Sequence, residues 1–163
     1  MNAISNHRFP VKESQTKNLL KLYLNDVGIL TQILYSTNVN AILNDERSIN
    51  LGTVYESVVA QELRAHGYDK LFYYDNKKHG EVDFLIDNYA SLSVMPIEVK
   101  SGKDYYVHSA LTHFVTTPDY HIKEAIVLSN EPDVKQDGKI IYMPVYDVMF
   151  LQKAKEEEII LPL

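Results

Sequence analysis

Asp83, Glu98 and Lys100 are the residues whose types and spacing could do chemistry: two carboxylates able to hold a hard cation, with an ammonium group two residues from one of them. They fall in two apolar runs, Val82-Asp83-Phe84-Leu85-Ile86 and Val94-Met95-Pro96-Ile97-Glu98-Val99, separated by a polar stretch, which is the pattern of a β-hairpin. A turn centred between Ala90 and Ser91 sets Asp83 opposite Glu98 and Glu81 opposite Lys100. Side-chain alternation then puts these four on one face and Val82, Phe84, Ile97 and Val99 on the other. Opposed residues have Cβ atoms roughly 4.5–5.5 Å apart, and two like charges at that distance destabilise a sheet. A cation between them is expected. Glu81 fits either as a further ligand or as the cross-strand ion-pair partner of Lys100.

Hard oxygen ligands, room for water and a group that steers that water suit phosphodiester hydrolysis. Asp83, Glu98 and the main-chain carbonyl of Val99 are the candidate metal ligands, with Glu56 entering from a neighbouring helix. Carboxylate and water ligands favour Mg²⁺ or Mn²⁺ over zinc. Lys100 would orient the water or stabilise developing negative charge. The candidate catalytic set is therefore Glu56, Asp83, Glu98 and Lys100.

These residues need elements to position them. Helical spacing of Val54, Tyr55, Val58, Val59 and Leu63 predicts a helix from Gly52 to His66, with Glu56 about 20° from Leu63 on the margin of the buried arc. Leu71-Phe72-Tyr73-Tyr74 reads as a short strand leading through a polar turn into the hairpin. Residues 104–115 read as a helix, followed by strands Ala125-Ile126-Val127-Leu128-Ser129 and Ile140-Ile141-Tyr142-Met143, then a helix opened by Pro144. Upstream, Leu19, Leu20, Tyr23, Leu24 and Val27 recur at helical spacing, with Gly28 at the place of a C-terminal cap. The expected organisation is a flexible lead-in over 1–16, a helical segment over 17–50, an α/β core over 51–152 with a mixed central sheet flanked by helices, and a tail over 153–163. The apolar tail residues Ile159, Ile160 and Leu161 offer a surface for homo-oligomers.

The 163 residues suit one domain. With no cysteine, disulfides and thiolate metal sites are excluded. The sequence has neither a signal-peptide pattern nor a run near 20 apolar residues, so a soluble cytoplasmic protein without membrane partners is expected. A net charge of −6 argues against a strong sequence-independent grip on nucleic acid and leaves DNA to a local basic rim. No Gly-x-x-x-x-Gly-Lys-Ser/Thr run is present, so nucleotide hydrolysis must come from elsewhere.

Asp83 followed by Glu98-Val99-Lys100 resembles the PD-(D/E)xK nuclease signature, although Val82 stands where the signature's name has Pro. Gly52, Glu56, Val59, Leu63, Gly67 and Tyr68 resemble the first helix of archaeal Holliday-junction resolvases of that superfamily, whose acid matches Glu56. Closer still, Gly52-Thr-Val-Tyr-Glu56, Val59-Ala-Gln-Glu-Leu63, Gly80-Glu-Val-Asp-Phe84 and Pro96-Ile-Glu-Val-Lys100-Ser-Gly are similar to the C-terminal domain of a family of archaeal and bacterial AAA-type ATPases. Lys21-Leu-Tyr-Leu-Asn-Asp-Val-Gly28 is similar to the segment before that domain's core. The resemblance implies a restriction-endonuclease-like fold, a Mg²⁺- or Mn²⁺-dependent nuclease-like site directed at DNA, and an AAA-type ATPase as partner in cis or in trans. It equally accommodates a catalytically inactive regulatory, DNA-binding or protein-binding module.

Overall fold

The computed structural model describes residues 1–4, 9–11, 15–36, 40, 51–102 and 104–153. Its strands are β1 (Asn2–Ile4), β2 (Gln15–Leu20), β3 (Phe72–Asn76), β4 (Gly80–Asn88), β5 (Ser93–Val99), β6 (Ala125–Ser129), β7 (Lys135–Asp137) and β8 (Ile140–Pro144). Helices lying wholly among the described residues include α1 (Val27–Tyr35), α2 (Gly52–Ala65) and α3 (Ser109–Thr116), with 3₁₀ turns at Pro118–Tyr120 and Val145–Phe150. Among the described residues, these eight strands form one mixed sheet in the order β2-β1-β3-β4-β5-β6-β8-β7. This is the expected α/β class. Among the described residues no helix is long and apolar enough to cross a membrane.

The sheet has a core on each face. Tyr74, Val82, Leu85 and Val127 pack with Leu111 and Phe114 of α3, whereas Phe84, Ile97, Val99 and Leu128 pack with Val59 and Leu63 of α2. Every residue of β5 is buried, as expected for a strand covered on both sides. Parallel pairing of β5 with β6 follows from the crossover through α3, since adjacent parallel strands need a long connection.

The β4–β5 hairpin has the anticipated register: Phe84 pairs with Ile97 and Asn88 with Ser93. Its turn is closed by Asn88, whose side-chain oxygen accepts from the N–H groups of Ala90 and Ser91. The facing of the residues differs at one point. Tyr74 pairs with Val82 but Phe72 with Leu85, so β4 carries one extra residue at Asp83–Phe84. This β-bulge reverses the alternation. Val82 therefore packs on the α3 side, not beside Phe84 as expected.

The N-terminal region departs furthest from expectation. In place of a flexible lead-in and a helix from residue 17, β1 and β2 form an antiparallel pair, and β1 lies parallel to β3. The helix starts at Val27, capped by Asp26, whose Oδ1 accepts from Ile29 N at 2.9 Å. Gly28 accordingly sits in its first turn. Leu19, Leu20 and Leu24 stay exposed, so their helical spacing marks no buried stripe. Elsewhere α2 ends at Ala65, α3 is shorter than the helix expected over 104–115, and β7 adds an edge strand. The expectations for most of 37–50 and for the apolar tail at 159–161 lie outside the described residues.

Gly80, at the start of β4, has φ +88, and a Cβ there would come within 3.2 Å of Ala110 Cβ on α3. Gly80→Ala is expected to cost about 1–2 kcal/mol, because backbone strain and a crowded helix contact add. Urea unfolding would measure it, and a loss within error of zero would contradict the strain.

Candidate functional site

The site forms where β4 and β5 part. Beyond the Phe84–Ile97 pair the ladder stops, and Asp83 turns its carboxylate into the gap to accept the Val99 N–H at 2.8 Å. Asp83 is thus held by the β5 backbone through an amide, whereas a carbonyl of Val99 was the expected contribution to a metal. Lys100 N has left for β6, donating to Leu128 O at 2.8 Å. Its ammonium returns to Glu98 Oε1, also at 2.8 Å.

Glu56 comes from the first turns of α2, whose buried residues Val59 and Leu63 seat it on the sheet. Its Oε2 accepts from Tyr23 Oη at 2.8 Å and lies 3.4 Å from Lys21 Nζ. Lys21 also bonds Glu81 and lies 3.9 Å from Asp83 Oδ1. The ring of Tyr73 is 5.2 Å from the same ammonium. The four expected acids and lysine thus divide into two linked groups. Glu56, Glu81 and Asp83 gather around Lys21; Glu98 pairs with Lys100. Glu81 pairs with Lys21 and not with Lys100, because the bulge and the end of the β5 ladder take Lys100 toward β6.

Electrostatics follow from this crowding. Burial, then the charges of Glu98 and Glu56, push the Asp83 carboxyl up to about 8 against the pull of Val99 N–H and Lys21. Glu98 is raised as well, first by burial, with Lys100, His108 and the backbone of Asp83 pulling the other way. Burial works to lower Lys21, but its hydrogen bond to Glu81 and the charges of Glu56, Glu81 and Asp83 outweigh it and raise the ammonium. Burial and the adjacent Glu56 carboxylate raise the Tyr23 hydroxyl, which remains a donor. Glu98 Oε2 is buried and makes no hydrogen bond.

The model of the family described as "Domain of unknown function (DUF4143)" matches residues 51–148, more than half of the chain. The chain belongs to this family. No curated protein matches it, and no solved structure does. The matched stretch of the DUF4143 domain carries Glu56, Glu81, Asp83, Glu98 and Lys100, while Lys21 and Tyr23 lie before it.

Three residues near the site went unremarked as chemistry in the sequence. Lys21 and Tyr23 are two apart, so in an extended chain both side chains reach one side, but reading 17–27 as a helix separates them. His108 is buried, with Nδ1 3.1 Å from Thr112 Oγ1 and Nε2 2.9 Å from Tyr142 Oη. No spacing in the sequence marks it. His113 stacks on His79 with ring centroids 4.0 Å apart, away from the acids' hydrogen bonds.

As placed, the acids hold ammonium groups. Among the described residues no group of three or more histidine, aspartate or glutamate side chains forms a ready-made metal cluster. The donor set still suits a hard cation in its chemistry: carboxylates only, one of them buried with an unused oxygen.

Proposed function

We propose that this DUF4143 domain is a nuclease-like phosphodiesterase domain that takes Mg²⁺ or Mn²⁺ at Asp83 and Glu98, with Glu56 as the third acid, and acts on DNA. The observation that carries the reading is the unpartnered, buried Glu98 Oε2 beside an Asp83 whose carboxyl is itself crowded by two further acids. Burying a carboxylate oxygen without a partner costs free energy, and a bound ion or an ordered water is what ordinarily satisfies such a group. When bound, the divalent ion would neutralise charge on the phosphate and make a bound water more acidic. The chain's own contributions are distinct. Val99 N–H fixes the Asp83 carboxylate, Tyr23 orients Glu56, and Lys100 keeps a positive charge at the mouth of the gap, where it can stabilise negative charge developing on phosphate oxygens.

The mixed sheet, Asp83 on β4 with Glu98 on the adjacent β5 and Lys100 just past its end, and the acid-bearing helix support a restriction-endonuclease-like fold for the domain. Domains of this family are typical of AAA-ATPase-associated proteins, which supports an AAA-type ATPase as partner, in cis or in trans. A second reading is favoured by Lys21: with an ammonium already among the acids, the domain could serve such an ATPase as a non-hydrolytic binding module.

Cutting of supercoiled, linear and branched DNA in Mg²⁺ or Mn²⁺ decides between them. Metal-dependent cutting that Asp83→Ala and Lys100→Ala reduce to the metal-free background is expected. Cutting that survives both substitutions, or no cutting with any substrate, sinks the enzyme reading.

A further inference from the structure

Lys21 stands where an incoming ion would have to stand. Its ammonium faces Glu56, Glu81 and Asp83 together, and among the described ion pairs it is the cation that reaches these three. Lys100 serves Glu98. With every group ionised, four acids face two lysines, so the cluster keeps a surplus of negative charge whether Lys21 stays or withdraws. A separate observation points to a missing ligand: the Glu98 side chain is 8% exposed, lies across the strand gap from Asp83, and has an oxygen without a partner.

The geometry also lets Lys21 move. Its backbone is pinned by reciprocal bonds with Met1, Lys21 N to Met1 O at 3.1 Å and Met1 N to Lys21 O at 2.9 Å. Beyond it residues 21–26 form neither helix nor strand. The four-carbon stem can therefore swing about a fixed Cα. A cleft of about 680 Å³, lined by Met1, Lys21, Tyr23, Ala60, Arg64 and Leu71, adjoins it and has room for the withdrawn side chain.

We infer that Lys21 is a built-in counter-cation: it closes the acid cluster as an ion pair when no metal is present, and withdraws into the adjoining cleft when a divalent cation takes the carboxylates. This rests on the reading of the cluster as a cation site. Metal and ammonium then compete for the same oxygens, so removing the ammonium strengthens metal binding even though it removes a contact.

Calorimetric titration of the full chain with Mn²⁺ alone tests this, with Lys21→Met, Lys21→Gln and Lys21→Arg beside the wild type and folding checked by circular dichroism. Lys21→Met and Lys21→Gln are expected to bind Mn²⁺ at least tenfold more tightly than the wild type, and Lys21→Arg to stay near it. The two neutral variants should also gain more melting temperature from Mn²⁺ than the wild type does. Equal or weaker binding by both neutral variants overturns the inference and leaves the cation site standing. No binding by any of the proteins overturns the cation site and the inference together. If a neutral variant is unfolded in EDTA, folding on addition of Mn²⁺ supports the inference, and failure to fold with Mn²⁺ overturns it.

Discussion

Lys100→Met is expected to destabilise the metal-free protein by about 3 kcal/mol at pH 8, and adding Glu98→Gln to it is expected to return most of that loss. Glu98 is 8% exposed in its side chain and its one cationic hydrogen-bond partner is Lys100 at 2.8 Å. The other carboxylate oxygen has none. Removing Lys100 leaves a buried charge without compensation, which costs far more than an exposed ion pair contributes. The backbone bond from Lys100 N to Leu128 O does not depend on the side chain, so the strand stays in place. The loss has a pH signature. Lys100 holds the raised Glu98 carboxyl down, and without it Glu98 keeps its proton to higher pH in the folded state. Between the unfolded and folded values the unfolded chain is the one that has released the proton, so rising pH favours unfolding and the cost grows as pH climbs above the ordinary glutamate range. Gln carries no charge to strand, so the double variant should lie within about 1 kcal/mol of the wild type, with a coupling near 2 kcal/mol in the cycle. A Lys100→Met loss below about 0.5 kcal/mol would show a screened surface pair instead.

The part of the fold legible in the sequence is the part whose pattern is local. Strand alternation and an Asn88 turn determine the β4–β5 register, and the Gly52 helix carries an apolar arc that is in fact buried. β1 and β2 were not legible, because a strand three residues long owes its order to pairing with β3 on one side and β2 on the other, which no local pattern records. Leu19, Leu20, Tyr23 and Leu24 mislead for a related reason. They mimic a helical stripe, yet three of the four are exposed leucines, and periodicity reports a helix only where the stripe meets a core.

The placement of Asp83, Glu98, Lys100 and Glu56 at one end of the sheet was legible, because a fixed register and a fixed helix phase bring them there. The β-bulge could not. It inserts its extra residue at Asp83–Phe84 without glycine or proline to signal it, and so redirects Val82 to the α3 core while Asp83 reaches Val99 N–H. Lys21 is 62 residues before Asp83 in the chain and meets the acids only because β1 carries the N-terminal pair to β3. Strand alternation alone therefore offers Glu81 a metal or Lys100 as its partner, and the charge between the other acids only a metal.

Asp83→Asn is expected to stabilise the metal-free protein by about 2 kcal/mol at pH 9, and by much less at pH 5. The Asp83 carboxyl is raised from 3.8 to about 8, first by burial and then by Glu98 and Glu56. An acid raised in this way binds its proton more tightly in the folded state than in the unfolded one. As pH rises from about 4 to about 8, the unfolded chain has already released the proton that the folded chain still holds, so stability falls through that window and levels off above it. Asn has no proton to lose, and its side-chain oxygen can still accept from Val99 N–H. The advantage of the variant should therefore open across that interval and stay constant beyond it, as urea unfolding in EDTA at pH 5, 7 and 9 would measure. A flat difference, or a variant less stable at pH 9, would mean that Asp83 is comfortable as an anion and that Lys21 and Val99 N–H already satisfy it. The stabilising outcome fits a residue retained at a cost to the fold, for with Mg²⁺ present the order should reverse: the wild type would gain from the ion what the Asn variant, having lost a charged ligand, could not.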